Sequence, residues 1–157
     1  MSAQSEIDTA AHGAFLDDDK TLVRASCVAM DGRALLILGG SGSGKSSLAL
    51  DLVGLGATLV SDDGTFLERR GDILLASPPD SIAGRIEARH IGILSLPFAS
   101  EARVILAIDL DREETDRLPP LREITLMGQT IPLLHRPPRP VSASGLLQCL
   151  LERRDTP

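Results

Sequence analysis

The octapeptide Gly39-Gly-Ser-Gly-Ser-Gly-Lys-Ser46 follows an unbroken apolar run, Ala34 to Leu38, and opens a stretch, Lys45 to Gly56, with Leu48, Leu52 and Leu55 at helical spacing. Gly39, Gly44, Lys45 and Ser46 satisfy G-x-x-x-x-G-K-[ST], and the flanks supply the strand before and the helix after that this pattern requires. Glycines let the backbone curl so that successive N–H groups converge, and the helix N-terminus adds its dipole. The loop is therefore an anion nest formed by Gly39, Gly40, Ser41, Gly42, Ser43, Gly44, Lys45, Ser46 and Ser47. Lys45 suits the β- and γ-phosphates of a nucleotide such as ATP, and Ser46 suits its Mg2+ ion.

The rest of the chain must decide what the loop serves. At 157 residues the chain has the length of one domain, and with three Phe and no Trp or Tyr its core must be aliphatic. That scarcity argues against stacking on nucleic-acid bases. A net charge of −6 offers no general attraction for nucleic acid or an anionic membrane. Cys27 and Cys149 belong to no metal-binding or disulfide pattern. No signal-like or membrane-length apolar run occurs, which predicts a cytoplasmic protein.

Residues 1–20, His12 included, are polar and aperiodic and predict a loose arm, with one P-loop domain over 21–157. Thr21 to Met30 and Ala34 to Leu38 read as two strands joined at Asp31-Gly32. Ala57 to Pro79 reads as a meander of three short strands turning at Asp63-Gly64 and Gly71-Asp72. Ala102 to Leu110 is an apolar strand, Asp111 to Pro120 a charged connector, and Arg122 to Pro138 a hairpin around Gly128. A last helix is capped by Ser142 or Ser144. So many strands beside two helices predict an α/β P-loop domain with a mixed sheet rather than a plain βαβ alternation.

Two strand ends offer a carboxylate for phosphate chemistry. Asp109 closes "VILAID" in the manner of a Walker B strand, whereas Asp62 and Asp63 close "LVSDD" soon after the first helix. Adjacent acids project in different directions, so one can serve a metal while the other takes a proton from a nucleophile.

Three ordered segments carry a likeness: "GGSGSGKSSLAL", "LVSDD" beginning fourteen residues after Lys45, and "IEARHIGIL" from Ile86 to Leu94. The chain resembles the HPr serine kinase/phosphorylase family in its short form, over Thr21 to about Leu134. The resemblance implies a fold related to phosphoenolpyruvate carboxykinase and ATP- and Mg2+-dependent phosphorylation of a serine on the phosphocarrier protein HPr. It also implies the reverse phosphorolysis in many members, and a homo-oligomer, often a hexamer. Asp62 then corresponds to the catalytic acid/base, with Lys45, Asp63 and Arg24 in the catalytic group. Ser46, Asp63 and Glu87 correspond to the metal site, and Arg89 belongs to the same signature.

Three positions depart from the family pattern. Arg24 stands where members carry a histidine, and a permanently protonated guanidinium cannot exchange a proton, though it can clamp a phosphate or fix Asp62. His90 replaces a glycine, which asks for room and a particular backbone angle. Ser47 replaces an acid. Clustered around one centre, these changes set beside the kinase a second reading, a nucleotide-binding sensor that docks HPr or another regulator. A third, a small-molecule kinase or NTPase, draws on the loop and Asp109 but finds no lid with paired arginines. His135 reads as a loop residue, and Arg136, Arg139, Arg153 and Arg154 as a solvated basic end.

Overall fold

The computed structural model describes residues 3–6, 13–17 and 19–155; His12 lies outside them. Among the described residues, twelve short strands and two α-helices accompany one long strand. That strand, β11, runs from Ala102 to Glu113, and each of its edges is used differently. One edge pairs in parallel with β5 (Arg33–Leu38) from Arg103 to Asp109. The other pairs antiparallel with β8 (Ile73–Ser77) at Ala102 and Arg103, then in parallel with β13 (Gln129–Arg136) from Ala107 onward. The sheet therefore forks at β11.

One branch continues from β5 to β4 (Ala25–Met30) and β6 (Thr58–Ser61). β4 and β5 are joined at Asp31-Gly32, as the sequence predicts, with Asp31 at φ 52 and Gly32 at φ 77. The other branch passes from β8 to β7 (Thr65–Arg70), β3 (Lys20–Val23) and β2 (Gly13–Asp17). On the far side of β13 lie β12 (Arg122–Leu126) and then β1 (Ala3–Glu6), the last in parallel. The segment read as a loose arm thus contributes two edge strands. A separate hairpin joins β9 (Arg85–Ala88) to β10 (Gly92–Ser95).

The expected meander of β6, β7 and β8 is corrected in one respect. β7 and β8 do form a hairpin at Gly71-Asp72, but β6 pairs with β4 and not with β7. The chain crosses between branches at Asp62 to Gly64, so what resembles a hairpin turn in sequence is a crossover carrying both acids. β11 also runs past Leu110 to Glu113, because the start of the supposed connector still has β13 beside it: Glu113 pairs with Arg136.

Strand alternation sends side chains to opposite faces, and two cores result. Leu36, Val60, Leu67, Leu74, Ala107 and Ile124 belong to one. The second lies under the helices α1 (Lys45–Gly54) and α2 (Ala143–Leu150), where Leu48, Leu52 and Leu150 meet Leu35, Ile37 and Ile108. Leu52 is fully buried, and sequestering a side chain of this size stabilises by about 1.5–3 kcal/mol. Leu55 is half exposed, just beyond the helix. α2 is capped by Ser142, whose hydroxyl accepts from the Gly145 N–H at 3.1 Å. Cys27 is a buried free thiol pushed well up by burial, and Cys149 is half-buried and free.

A polar centre lies where β11 ends. Glu114 is buried and met on both oxygens by Arg122, at 3.2 Å from Nε and 3.0 Å from Nη2. The Asp116 N–H adds a third bond. The Arg122 guanidinium holds the Glu114 carboxyl below its ordinary range. Nearby His135 has a buried Nε2 with no hydrogen-bond partner; burial first, and then the Arg122 charge, hold this imidazole below its ordinary range.

Candidate phosphate-binding site

β5 ends at Leu38 and α1 begins at Lys45, so the intervening loop lies at the carboxyl end of a central strand, under a helix N-terminus. Its glycines are required by geometry. Gly39 has φ 154, and a Cβ there would stand 2.5 Å from Ser43 Oγ and 3.2 Å from Leu110 Cβ. Gly44, at φ 101, is the residue on which the helix starts. The loop is fastened from outside by two side chains. The Asp111 carboxylate accepts the Gly40 N–H at 2.9 Å, and Arg139 Nη2 donates to the Ser43 carbonyl at 3.2 Å.

Lys45 is 7% exposed, and its ammonium donates to the carbonyls of Gly39 and Gly40 at 2.8 and 3.0 Å. It also stands 3.7 Å from Asp63 Oδ1, on a carboxylate that is 68% exposed. A cation satisfied by neutral carbonyls beside an open acid is well placed to exchange partners when an anion enters. Ser46 Oγ donates to Asp62 Oδ1 at 2.6 Å. The loop hydroxyl and the first acid of "SDD" are therefore in direct contact, even though sixteen positions separate them.

The acids at the crossover differ in their surroundings. Asp62 Oδ1 takes hydroxyl bonds from Ser46 and from Ser26 of β4, the latter at 2.8 Å, and Oδ2 faces the Glu87 N–H at 3.4 Å. Asp63 adopts φ 53, and its N–H donates to Ser26 Oγ at 3.1 Å. The cavity in front of the loop is bounded by Ser41, Gly42 and Gly44 to Ser47 on one wall and by Asp63, Glu87 and Arg89 on the other. Ser46, Asp63 and Glu87 thus border one space and supply the hard oxygen donors that Mg2+ prefers.

The hairpin of β9 and β10 brings in Glu87 and Arg89. The Ile91 N–H closes its turn onto the Ala88 carbonyl at 2.9 Å, and His90 takes the left-handed position of that turn at φ 68. The angle that glycine adopts freely is kept here with a side chain attached, and His90 is exposed.

Arg24 is exposed, just before β4, and makes no hydrogen bond or ion pair among the described residues. Asp109 faces elsewhere: its carboxylate accepts from the Asp111 N–H and lies 3.7 Å from Arg112. Three further residues belong to the site. Ser26 is a lone hydroxyl in an apolar central strand, which is itself a sign that something must pair with it. Asp111 was indistinguishable from its acidic neighbours. Arg139 is, in sequence, one more residue of a basic end.

Comparison with known proteins bears on the same segments. The chain is 32% identical over 153 residues to the HPr kinase/phosphorylase of Halalkalibacterium halodurans, covering 89% of this chain and 46% of that protein. With the HPr kinase/phosphorylase of Prosthecochloris aestuarii it shares 30% over 142 residues, covering 80% and 42%. It spans less than half the length of these curated relatives. The structure of the HPr(Ser) kinase/phosphatase from Coxiella burnetii superposes with a TM-score of 0.71 at 25% identity, over 83% of this chain and 88% of that one. The sequence profile of the HPr serine kinase C-terminal domain matches residues 18–116, the stretch holding the phosphate loop, both crossover acids and the β9–β10 hairpin. The chain belongs to the HPr serine kinase C-terminal domain family.

Proposed function

We propose that this chain is the catalytic domain of an ATP-dependent kinase that phosphorylates a serine of HPr or an HPr-like phosphocarrier protein. The observation that carries the reading is the junction of the loop with the acids: Ser46 lies 2.6 Å from Asp62, and Lys45 lies 3.7 Å from Asp63. A nucleotide whose phosphates fill the nest would be held by the loop N–H groups and Lys45. Asp62 stands directly behind the cavity, against its wall residues Ser46 and Glu87, and would be the carboxylate nearest a serine hydroxyl that reaches past them.

In the forward step Asp62 takes the serine proton while the serine oxygen bonds to the γ-phosphorus, and the bond from that phosphorus to the β,γ-bridging oxygen breaks to release ADP. In phosphorolysis an oxygen of inorganic phosphate bonds to the phosphorus of phosphoserine while the bond from that phosphorus to the serine oxygen breaks; Asp62 passes the proton that the attacking phosphate gives up to the departing serine oxygen, and pyrophosphate is released. Mg2+ would neutralise charge on the transferring phosphate, and Ser46, Asp63 and Glu87 are the residues here that would hold it. Arg89, on the cavity wall, is placed to meet phosphate oxygens. The reading includes a cytoplasmic setting, where ATP and the carrier occur together; among the described residues no helix is long and apolar enough to cross a membrane. A homo-oligomer is part of it on the strength of the resemblance alone.

The test is incubation with MgATP and HPr, followed by intact mass measurement. A gain of roughly 80 Da on HPr, the mass of one phosphoryl group, that disappears with Asp62→Asn supports the kinase. ATP binding with no mass gain favours the sensor, and acceptor-independent hydrolysis favours the NTPase.

A further inference from the structure

Ser26 lies on β4, the middle strand of the branch formed by β5, β4 and β6, where β4 is flanked on both sides and the neighbouring residues Ala25, Cys27 and Val28 are apolar and fully buried. Ser26 is itself 0% exposed. A hydroxyl in such a place is tolerated only when paired, and this one is used in both senses. It donates to Asp62 Oδ1 at 2.8 Å and accepts from the Asp63 N–H at 3.1 Å. One side chain therefore fixes the carboxylate of the first crossover acid and the backbone of the second, whose φ of 53 is one that side chains other than glycine seldom take.

The distribution of bonds on Asp62 is informative. Oδ1 carries two hydroxyl donors, whereas Oδ2 has only the long contact to the Glu87 N–H at 3.4 Å. The oxygen with spare lone pairs is Oδ2. Of the two hydroxyls, Ser46 belongs to the phosphate loop, and Ser26 is the one outside it. Arg24, the residue at the position where family members carry histidine, is exposed and has no partner among the described residues.

We propose that Ser26 is the positioning residue of the phosphoryl-transfer site. It anchors Oδ1 of Asp62 from the strand beneath and so presents Oδ2 to the acceptor hydroxyl, a task that Arg24 does not perform. The inference rests on the kinase reading above. Ser26 touches no substrate and acts only through Asp62 and the Asp63 backbone.

The test is steady-state transfer from MgATP to HPr by the full chain. Ser26→Ala should lower kcat about ten-fold or more, the usual scale for losing a hydrogen bond to a charged group, while ATP affinity changes less than about two-fold. Introduced into Asp62→Asn, it should produce no additional loss, since residues acting as a unit are not additive. Ser26→Cys keeps the volume but donates weakly; it should behave like Ser26→Ala and stands in for it if that variant does not fold. An active wild type with kcat unchanged in these variants would overturn this inference alone. So would losses that multiply with Asp62→Asn, which indicate a merely structural role. A wild type that transfers nothing to HPr overturns the kinase reading and this inference with it.

Discussion

At Glu114 a carboxylate is met by a guanidinium on both oxygens, with a backbone N–H besides. At Asp62 two hydroxyls crowd one oxygen, and the nearest ammonium rests on carbonyls 3.7 Å from the neighbouring acid. Both corners lie at strand ends and both combine acids with a basic side chain. What separates them is spare bonding capacity. The Glu114–Arg122 centre is closed, so its charges hold the end of β11 to β12. The Asp62 corner keeps one carboxylate oxygen, one open acid and one cation with exchangeable partners, which is what a site for an arriving anion and a departing proton needs.

The sharpest break in that contrast is expected from Lys45→Ala. Removing the one cation buried in the loop should cut transfer about a thousand-fold, as loss of a preorganised charge on a transferring group does, and leave the melting temperature nearly unchanged. Asp62→Asn should follow, with kcat down about 10²- to 10³-fold and ATP binding, read by calorimetry, retained. At the closed corner the outcome reverses. Arg122→Leu leaves Glu114 without its counter-charge and should cost about 2–3 kcal/mol in chemical denaturation, with kcat per folded molecule unaffected.

Acid should also separate the corners. Glu114 is depressed in the fold, so its contribution is complete above the ordinary carboxylate range and is lost as pH falls through its lower folded value. His135 is likewise depressed; below about pH 6.5 the unfolded chain takes up its proton first, and stability declines from there. Stability against pH should therefore fall in two stages on the acid side. His135→Gln should remove the earlier stage, and Arg122→Leu should blunt the later one. The smallest effect belongs to His90→Gly. It relieves a left-handed side chain but adds glycine's freedom in the unfolded chain, for a net gain of at most about 1 kcal/mol by thermal melting.

The parts legible in the sequence were those whose physics is local. The phosphate loop, the helix after it, the Asp31-Gly32 and Gly128 hairpins and the cap of the last helix, narrowed in sequence to Ser142 or Ser144, each depend on neighbours within a few residues. The partner of β6 was not legible, because Asp63-Gly64 has the composition of a hairpin turn whether the chain doubles back or crosses to another branch. The reach of β11 to Glu113 was hidden by its charges, which tolerate a strand end only because β13 runs beside it. Asp62 and Asp63 stood out as a pair, yet nothing in the sequence told which would be clamped and which open. That depended on Ser26 and Ser46, which reach Asp62 from 36 and 16 positions away.

The placement of Asp111 also bears on how the chain acquires its structure. The carboxylate that fastens the Gly40 N–H lies 71 positions downstream, on a strand that must dock in parallel beside β5. Parallel pairings between distant segments form late, since the loop they close has to be ordered first. A chain that has made β4, β5 and α1 but not β11 would hold every glycine of the nest and still lack the fastening at Gly40. Binding of a nucleotide would then rise with docking of β11 rather than with formation of the helix, and a stopped-flow refolding trace would show ligand capture following the slow phase.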